Sequence, residues 1–405
     1  MKKSALILAL IVLLMSLGCG TQGGSAVQEP TNAPAAETTA PERVEIVVEK
    51  VTPSPEPTAE PTPSPSEIPY VTLEGQTLRC DAVSLTLTDK ASLSELDKFP
   101  LLESVNLMSL HLELSEMRQL CADYPKLAFA FSFTAFGIEL NAETTYIDIH
   151  GTALTSPDSV MEILPYLPAL EKMDMRRCGL ANEQMETLCT AYPAVKFVWE
   201  VKMGDHVLRT DLVGFSTKNP SKYYNDSSSE EYIERVKNTR RLYDEDIQVL
   251  KYCTDLVALD LGHNYISDLS VLENLPKLQI LILADNKLVD ISVLSKLKEL
   301  VYVEIFMNLI VDLSPLEGHE HMLDLNFCHN KVVDLTPLYG LGTLERVWCA
   351  DNEFKKADGD ALQGALPECD VNYTTPDDTA DGWREHERYT WMREYFADNS
   401  PYNPS

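Results

Sequence analysis

Leu256-Val257-Ala258-Leu259-Asp260-Leu261-Gly262-His263-Asn264 decides the fold, because the same L-x-x-L-x-L-x-x-N phrase returns four more times at one constant interval. The copies are Leu278, Leu281, Leu283, Asn286; Leu300, Val303, Ile305, Asn308; Met322, Leu325, Phe327, Asn330; and Leu344, Val347, Cys349, Asn352, each twenty-two positions after the last. The second half of each of the first four units repeats too: Asp268-Leu269, Asp290-Ile291, Asp312-Leu313 and Asp334-Leu335 are followed three positions later by Leu272, Leu294, Leu316 and Leu338. A fixed period of this length marks a solenoid, whose units cannot bury an apolar face alone and must stack. The alternating L-x-L predicts one short strand per coil, aliphatic side chains inward, with neighbouring strands about 4.8 Å apart in a parallel sheet. The asparagine turns the chain, and its amide is placed to satisfy backbone groups of adjoining coils, giving a structural ladder of Asn264, Asn286, Asn308, Asn330 and Asn352. Asp246, Asp268, Asp290, Asp312 and Asp334 stand where a carboxylate caps a short helical turn on the outer side.

Residues 256–355 resemble the internalin-type class of leucine-rich repeats. That resemblance implies short 3₁₀ segments on the convex side and a concave sheet available to a ligand. The class expected is therefore an α/β solenoid. His319 replaces the leucine found at Leu275, Leu297 and Leu341, so the third coil is expected to be locally loose. Residues 214–255 read as a connector and N-terminal cap: Asp246-Ile247-Gln248-Val249-Leu250 with Cys253 match only the second half of a unit, and Glu230 to Tyr243 reads as a covering helix. The phase fades after Asn352, so 356–405 reads as a C-terminal cap, with an aromatic-rich helix between Gly382 and Phe396 docking on or near the last coil.

A less regular segment, 71–213, precedes these coils. Leu102-Glu103-Ser104-Val105-Asn106-Leu107 and Leu120-Cys121-Ala122-Asp123-Tyr124-Pro125 are echoed by Leu170-Glu171-Lys172-Met173-Asp174-Met175 and Leu188-Cys189-Thr190-Ala191-Tyr192-Pro193, both at an offset of 68. Each copy reads strand, helix, strand, the last from the period-2 runs Phe129, Phe131, Phe133 and Phe197, Trp199, Val201. Gly204-Asp205 reads as a hairpin turn. The segment is expected to be a divergent, duplicated α/β repeat.

Lys2 and Lys3 followed by the apolar run Ala5 to Leu17 read as an export signal over residues 1–19, too short to favour a permanent span. Ser16-Leu17-Gly18-Cys19 resembles a lipobox, which implies cleavage before Cys19 and diacylglycerol on its thiol. Residues 20–70 hold ten prolines among Thr, Ser, Glu and Ala, a composition expected to stay disordered and to act as a stiff spacer. Signal, spacer, duplicated segment, regular coils and a Gly-Trp-Arg helix together resemble leucine-rich-repeat surface lipoproteins of clostridial gut bacteria. The resemblance implies a monomer held by lipid at the outer face of the cell membrane and says little of chemistry.

The net charge of −30 argues against nucleic-acid or anionic-membrane binding, which needs Lys and Arg at the surface. Eight cysteines remain beyond Cys19; Cys121, Cys189, Cys253 and Cys349 occupy apolar repeat positions and read as buried thiols, while Cys80, Cys178, Cys328 and Cys369 stay open between thiol and disulfide. No nucleophile elbow, HExxH or phosphate-binding glycine loop is present, no cofactor or metal is expected, and His319-Glu320-His321 lacks a third ligand. Aligned by phase, the residues around the inward leucines form columns that include Ile280, Ile282, Tyr302, Glu304, Phe306, Met307, Asn326, His329, Arg346 and Trp348. Exposed aromatics on adjoining coils mark an interaction site unless another part of the chain, such as the C-terminal helix, covers them. These columns are the expected ligand-binding surface for a protein, peptide or glycan; an envelope scaffold, or an enzyme within 71–213, are the other readings.

Overall fold

A computed structural model describes residues 68–217, 240–375, 379 and 382–398; the readings of the signal, Cys19 and the spacer up to residue 67 lie outside the described residues. The regular coils each contribute one short strand: β13 (Ala258–Asp260), β14 (Ile280–Ile282), β15 (Tyr302–Glu304), β16 (Asp324–Asn326) and β17 (Arg346–Trp348). They form one parallel sheet of seven, opened by β12 (Gly214–Ser216) and closed by β18 (Asp370–Asn372), each strand in register with its neighbour. The leucines between the strand ends point inward; Leu259, Leu281, Val303, Leu325 and Val347 are all fully buried.

Two parallel sheets precede this one. β3 (Ser84–Thr86), β4 (Ser104–Glu113) and β5 (Ala128–Ala135) form the first, and β7 (Tyr146–Asp148), β8 (Lys172–Asp174) and β9 (Lys196–Val198) the second. Antiparallel hairpins punctuate them: β1 (Tyr70–Leu73) with β2 (Gln76–Arg79), β5 with β6 (Ile138–Asn141), and β10 (Glu200–Met203) with β11 (His206–Arg209). The third hairpin leads into β12, so the divergent segment runs into the regular coils through a further copy of its own opening unit. Arg79–Asp81 and Arg209–Asp211 form the same ion pair in the first and third hairpins.

The convex side differs from coil to coil. Three coils run strand to strand from Ser104 to Ala128, from Lys172 to Lys196 and from Arg346 to Asp370, two positions more than the regular interval. Each of them accommodates an α-helix: α1 (Leu114–Asp123), α2 (Asn182–Ala191) and α3 (Lys356–Ala365). Each helix starts alike, the side chain at its third position (Glu116, Gln184 or Asp358) accepting from the N-cap backbone N–H. The shorter, regular coils have room only for a brief 3₁₀ turn, as in Ser270–Asn274 and Ser314–Leu316.

Three expectations need correction. Residues 356–372 are another coil, helix then strand, instead of a cap; Leu362 and Leu366-Pro367 match Leu188 and Tyr192-Pro193, a signal that the shorter period conceals. The helix read over Glu230 to Tyr243 lies mostly outside the described residues, and its described end, Arg240–Tyr243, is not helical. His319 does not loosen the third coil: it is fully buried, with Nδ1 2.9 Å from the Leu316 carbonyl and Nε2 3.0 Å from that of Leu294.

Candidate functional site

The inward leucines set the floor, so the residues beside them face the concave wall. The main departure from expectation lies there: Ile280, Ile282, Tyr302, Glu304, Phe306, Asn326, Arg346 and Trp348 are buried instead of exposed. The reason is a strap formed by residues 382–398, whose helix α4 (Glu387–Asp398) lies across the sheet rather than on the last coil. Its length is about 18 Å, matching roughly four strand spacings. Arg388 near its start meets β16, while the helix also contacts β12. Trp383, Tyr389, Met392 and Phe396 are buried in one apolar cluster with Ile280, Tyr302, Phe306 and Trp348.

Charge fixes the strap in register. Asp324, fully buried, accepts from Arg388 at both oxygens, at 2.6 and 2.8 Å, and from Arg346 Nε at 2.8 Å. Burial alone would raise the Asp324 carboxyl; the two guanidiniums outweigh it and hold the group below the usual carboxylate range. Arg388 also reaches Glu345 at 2.7 Å. Arg346 donates to the Trp383 carbonyl at 3.0 Å and stacks 4.3 Å from the indole ring. Glu304 accepts from the Trp383 indole N–H at 2.7 Å and from the Tyr302 hydroxyl. Burial raises the Glu304 carboxyl in spite of those two donors, and burial with the adjacent Glu304 charge pushes the Tyr302 phenol well up.

Met307 and His329, the other two of the expected surface residues, are not among the buried ones. They are the turn residues one before the ladder asparagine, in left-handed backbone at φ +55° and +51°, as are His263, Asp285 and Asp351. Met307 is exposed, and His329 pairs with Asp351 at 3.1 Å. Behind them the ladder is continuous. Asn308 Nδ2 reaches the carbonyls of Leu283, Ile305 and Phe306, and its Oδ1 accepts from Leu288 N. Asn286, Asn330 and Asn352 repeat the pattern, and Asn264 bonds its own coil and Leu242. Asp268, Asp290, Asp312 and Asp334 accept from the N–H two positions on, at the head of each 3₁₀ turn. Asp246 differs: it accepts from Tyr243 N and Arg240, closing the turn before its helix.

Among the described residues the concave side chains of β3–β5 and of β7 are accessible, while Asp174 on β8 and Val198 on β9 are buried. Ser84, Thr86, Ser104, Asn106, Ala128 and Ala130 line a shallow cleft of about 360 Å³ across β3–β5. Beyond it stand Tyr146, half exposed, and Asp148. On β8, Lys172 pairs with Asp211 at 2.7 Å, and Asp174 with Arg176. Sequence reading missed this wall because its outward residues are small and polar. No disulfide joins the eight cysteines of the described residues, and no group of three or more His, Cys, Asp or Glu there could hold a metal.

Stacked coils, a continuous asparagine ladder and 3₁₀ turns on the convex side define a leucine-rich-repeat solenoid. No family model matches the chain, and no curated protein matches it. Among solved structures it is similar to internalin C2 of Listeria monocytogenes, at 27% identity over 36% of this chain and 74% of that one, with a TM-score of 0.27. It is similar also to an internalin F of the same organism, at 15% identity over 76% and 87% with a TM-score of 0.30. A leucine-rich-repeat protein of Leptospira interrogans matches at 16% over 69% and 74%, with a TM-score of 0.32.

Proposed function

We propose that the protein is an exported, lipid-anchored surface protein that binds a protein, peptide or glycan ligand on the part of its concave wall the strap leaves open. One observation carries this reading: among the described residues the wall over β3–β5, with Tyr146 and Asp148 of β7 beside it, keeps its outward side chains accessible, while the wall over β13–β17 is filled by the strap. A floor of serine, threonine, asparagine and alanine admits close approach of another backbone or a sugar ring, with Tyr146 beside it as a half-exposed aromatic anchor. Cys19 supports the anchor through its lipobox-like context.

The test is a wedge. Ala128→Trp with Ala130→Trp fills the cleft without touching the buried leucines, and peptide and glycan arrays probed with the full chain should lose their hits. Unchanged array binding by the folded double variant would remove this wall from consideration. For the anchor, Cys19→Ala should move the protein from the membrane fraction into the medium; retention on the membrane would refute lipidation at that thiol.

A further inference from the structure

A second surface lies along the edge where each coil leaves its strand. After every ladder asparagine the chain runs extended and alternates buried with exposed, so outward residues stack in columns from coil to coil. One backbone bond per coil holds this edge: Lys287 N to Ile266 O, Leu309 N to Leu288 O and Lys331 N to Ile310 O, each at 2.8 Å. Successive residues within a column are therefore spaced like strands of a parallel sheet, about 4.8 Å apart. One column is Val289, Val311 and Val333, exposed to 56%, 47% and 53%, and Tyr265, Met307 and Leu309 extend it sideways. Half of the exposed large apolar side chains among the described residues lie in this one patch, of which the concave reading contained Met307 alone. Nothing in coil folding asks for it, since the equivalent positions in the first and last coils are Ser267 and Lys355.

We propose that this edge is a docking surface for an amphipathic helix of a partner protein, apolar on one face, basic along one flank and acidic along the other. Charge around the patch selects those flanks. Directly beside the valines runs a column of exposed carboxylates, Asp290, Asp312 and Asp334, each capping with one oxygen and standing at the surface. On the other side Lys287 and Lys331 bracket Leu309 one coil above and below. Spacing selects a helix: side chains one turn apart along a helix are about 5.4 Å apart, close to the coil rise, whereas same-face residues of a strand fall nearly 7 Å apart. The ladder bonds already occupy backbone groups of this edge, so side chains supply the contact. The net charge of −30 opposes a second copy of this chain as occupant. The protein carries an internal example of the same arrangement: α4 lies across these coils on the concave side and sets Arg388 on Asp324. This surface is separate from the open concave wall, and neither reading depends on the other.

The probe is a synthetic helical peptide of about 18 residues with leucines at i, i+3, i+4 and i+7, lysines on one flank and glutamates on the other. Fluorescence anisotropy with the full chain should show saturable binding. Val289→Ser with Val311→Ser and Val333→Ser should weaken it about tenfold or more. Asp290→Asn with Asp334→Asn, which keeps a capping oxygen and removes the charge, should weaken it less and flatten its dependence on salt. Equal binding by the valine variant, or no saturable binding by the unaltered chain, overturns the proposal. Sedimentation showing a dimer that the valine variant lacks overturns it in favour of self-association.

Discussion

The two halves of the solenoid solve one packing problem with different means. In the regular half, coils of equal length repeat with constant phase, an asparagine reaches three carbonyls at four of the five turns, as at Asn308, and the chain's own strap fills the concave wall. In the N-terminal half, coil lengths vary, α1 and α2 stand where two of the coils would have 3₁₀ turns, hairpins interrupt the sheets, and the wall over β3–β5 is accessible. The comparison teaches that regularity and exposure are separable: the half whose repeat is easiest to read is the half whose concave surface is spent on itself.

The comparison breaks most visibly at Asp324. Asp324→Ala would leave Arg346 and Arg388 buried without their shared carboxylate, and removal of one partner of a buried ion pair costs about 3–5 kcal/mol. Hydrogen exchange should accelerate in α4 and β13–β17 and stay slow in β3–β5 and β7–β9. Equal acceleration in both halves would mean that the strap supports the whole solenoid rather than one wall.

A smaller effect compares the turns. Cys178 sits three positions after Met175, as Asn264 sits after Leu261, and its thiol reaches the carbonyls of Ile149 at 3.2 Å and Arg176 at 3.7 Å. A thiol is a weak donor where an amide supplies two N–H groups and an acceptor. Asn308→Ala should therefore cost about 1–3 kcal/mol in chemical denaturation, and Cys178→Ala under about 1 kcal/mol. Comparable losses at both positions would show that the ladder owes its stability to shape alone.

Legibility follows the same division. The inward leucines, the strand positions and the ladder asparagines were readable because an apolar residue at constant phase has one physical use. The concave columns were readable as positions but not as surface: nothing in Tyr302, Phe306 or Trp348 says whether water or another helix lies above them, and that is settled by Trp383 and Arg388 from a distant segment. Asp324 carried a hint, since a carboxylate and Arg346 on adjoining strands invite a further charged partner. The last coil escaped notice because its α3 lengthens the period by two positions. The valine edge escaped because exposed apolar side chains look in sequence like buried ones.

His319 distinguishes its coil from its neighbours by pH. Burial pushes its imidazole below the ordinary value, although the Leu316 and Leu294 carbonyls favour the charged ring. The unfolded chain therefore takes up a proton before the folded one does, so stability present above about pH 6.5 is lost as pH falls below it. His319→Leu should flatten that acid limb by up to about 1.4 kcal/mol per pH unit in urea melts. An acid limb unchanged in the variant would place the sensitivity in the carboxylates.

The smallest effect is chemical and leaves stability untouched. Burial pushes the thiols of Cys253 and Cys369 up to about 12, and that of Cys349 well above its usual value, so these three offer no thiolate near neutrality. Cys121 and Cys189, on the convex helices α1 and α2, are raised by burial too but only half covered. A maleimide added to the native protein at about neutral pH should modify Cys121 and Cys189 first, leaving Cys253, Cys349 and Cys369 unlabelled until denaturant is added. Early labelling at Cys349 would show that the strap and last coil open on the timescale of the reaction.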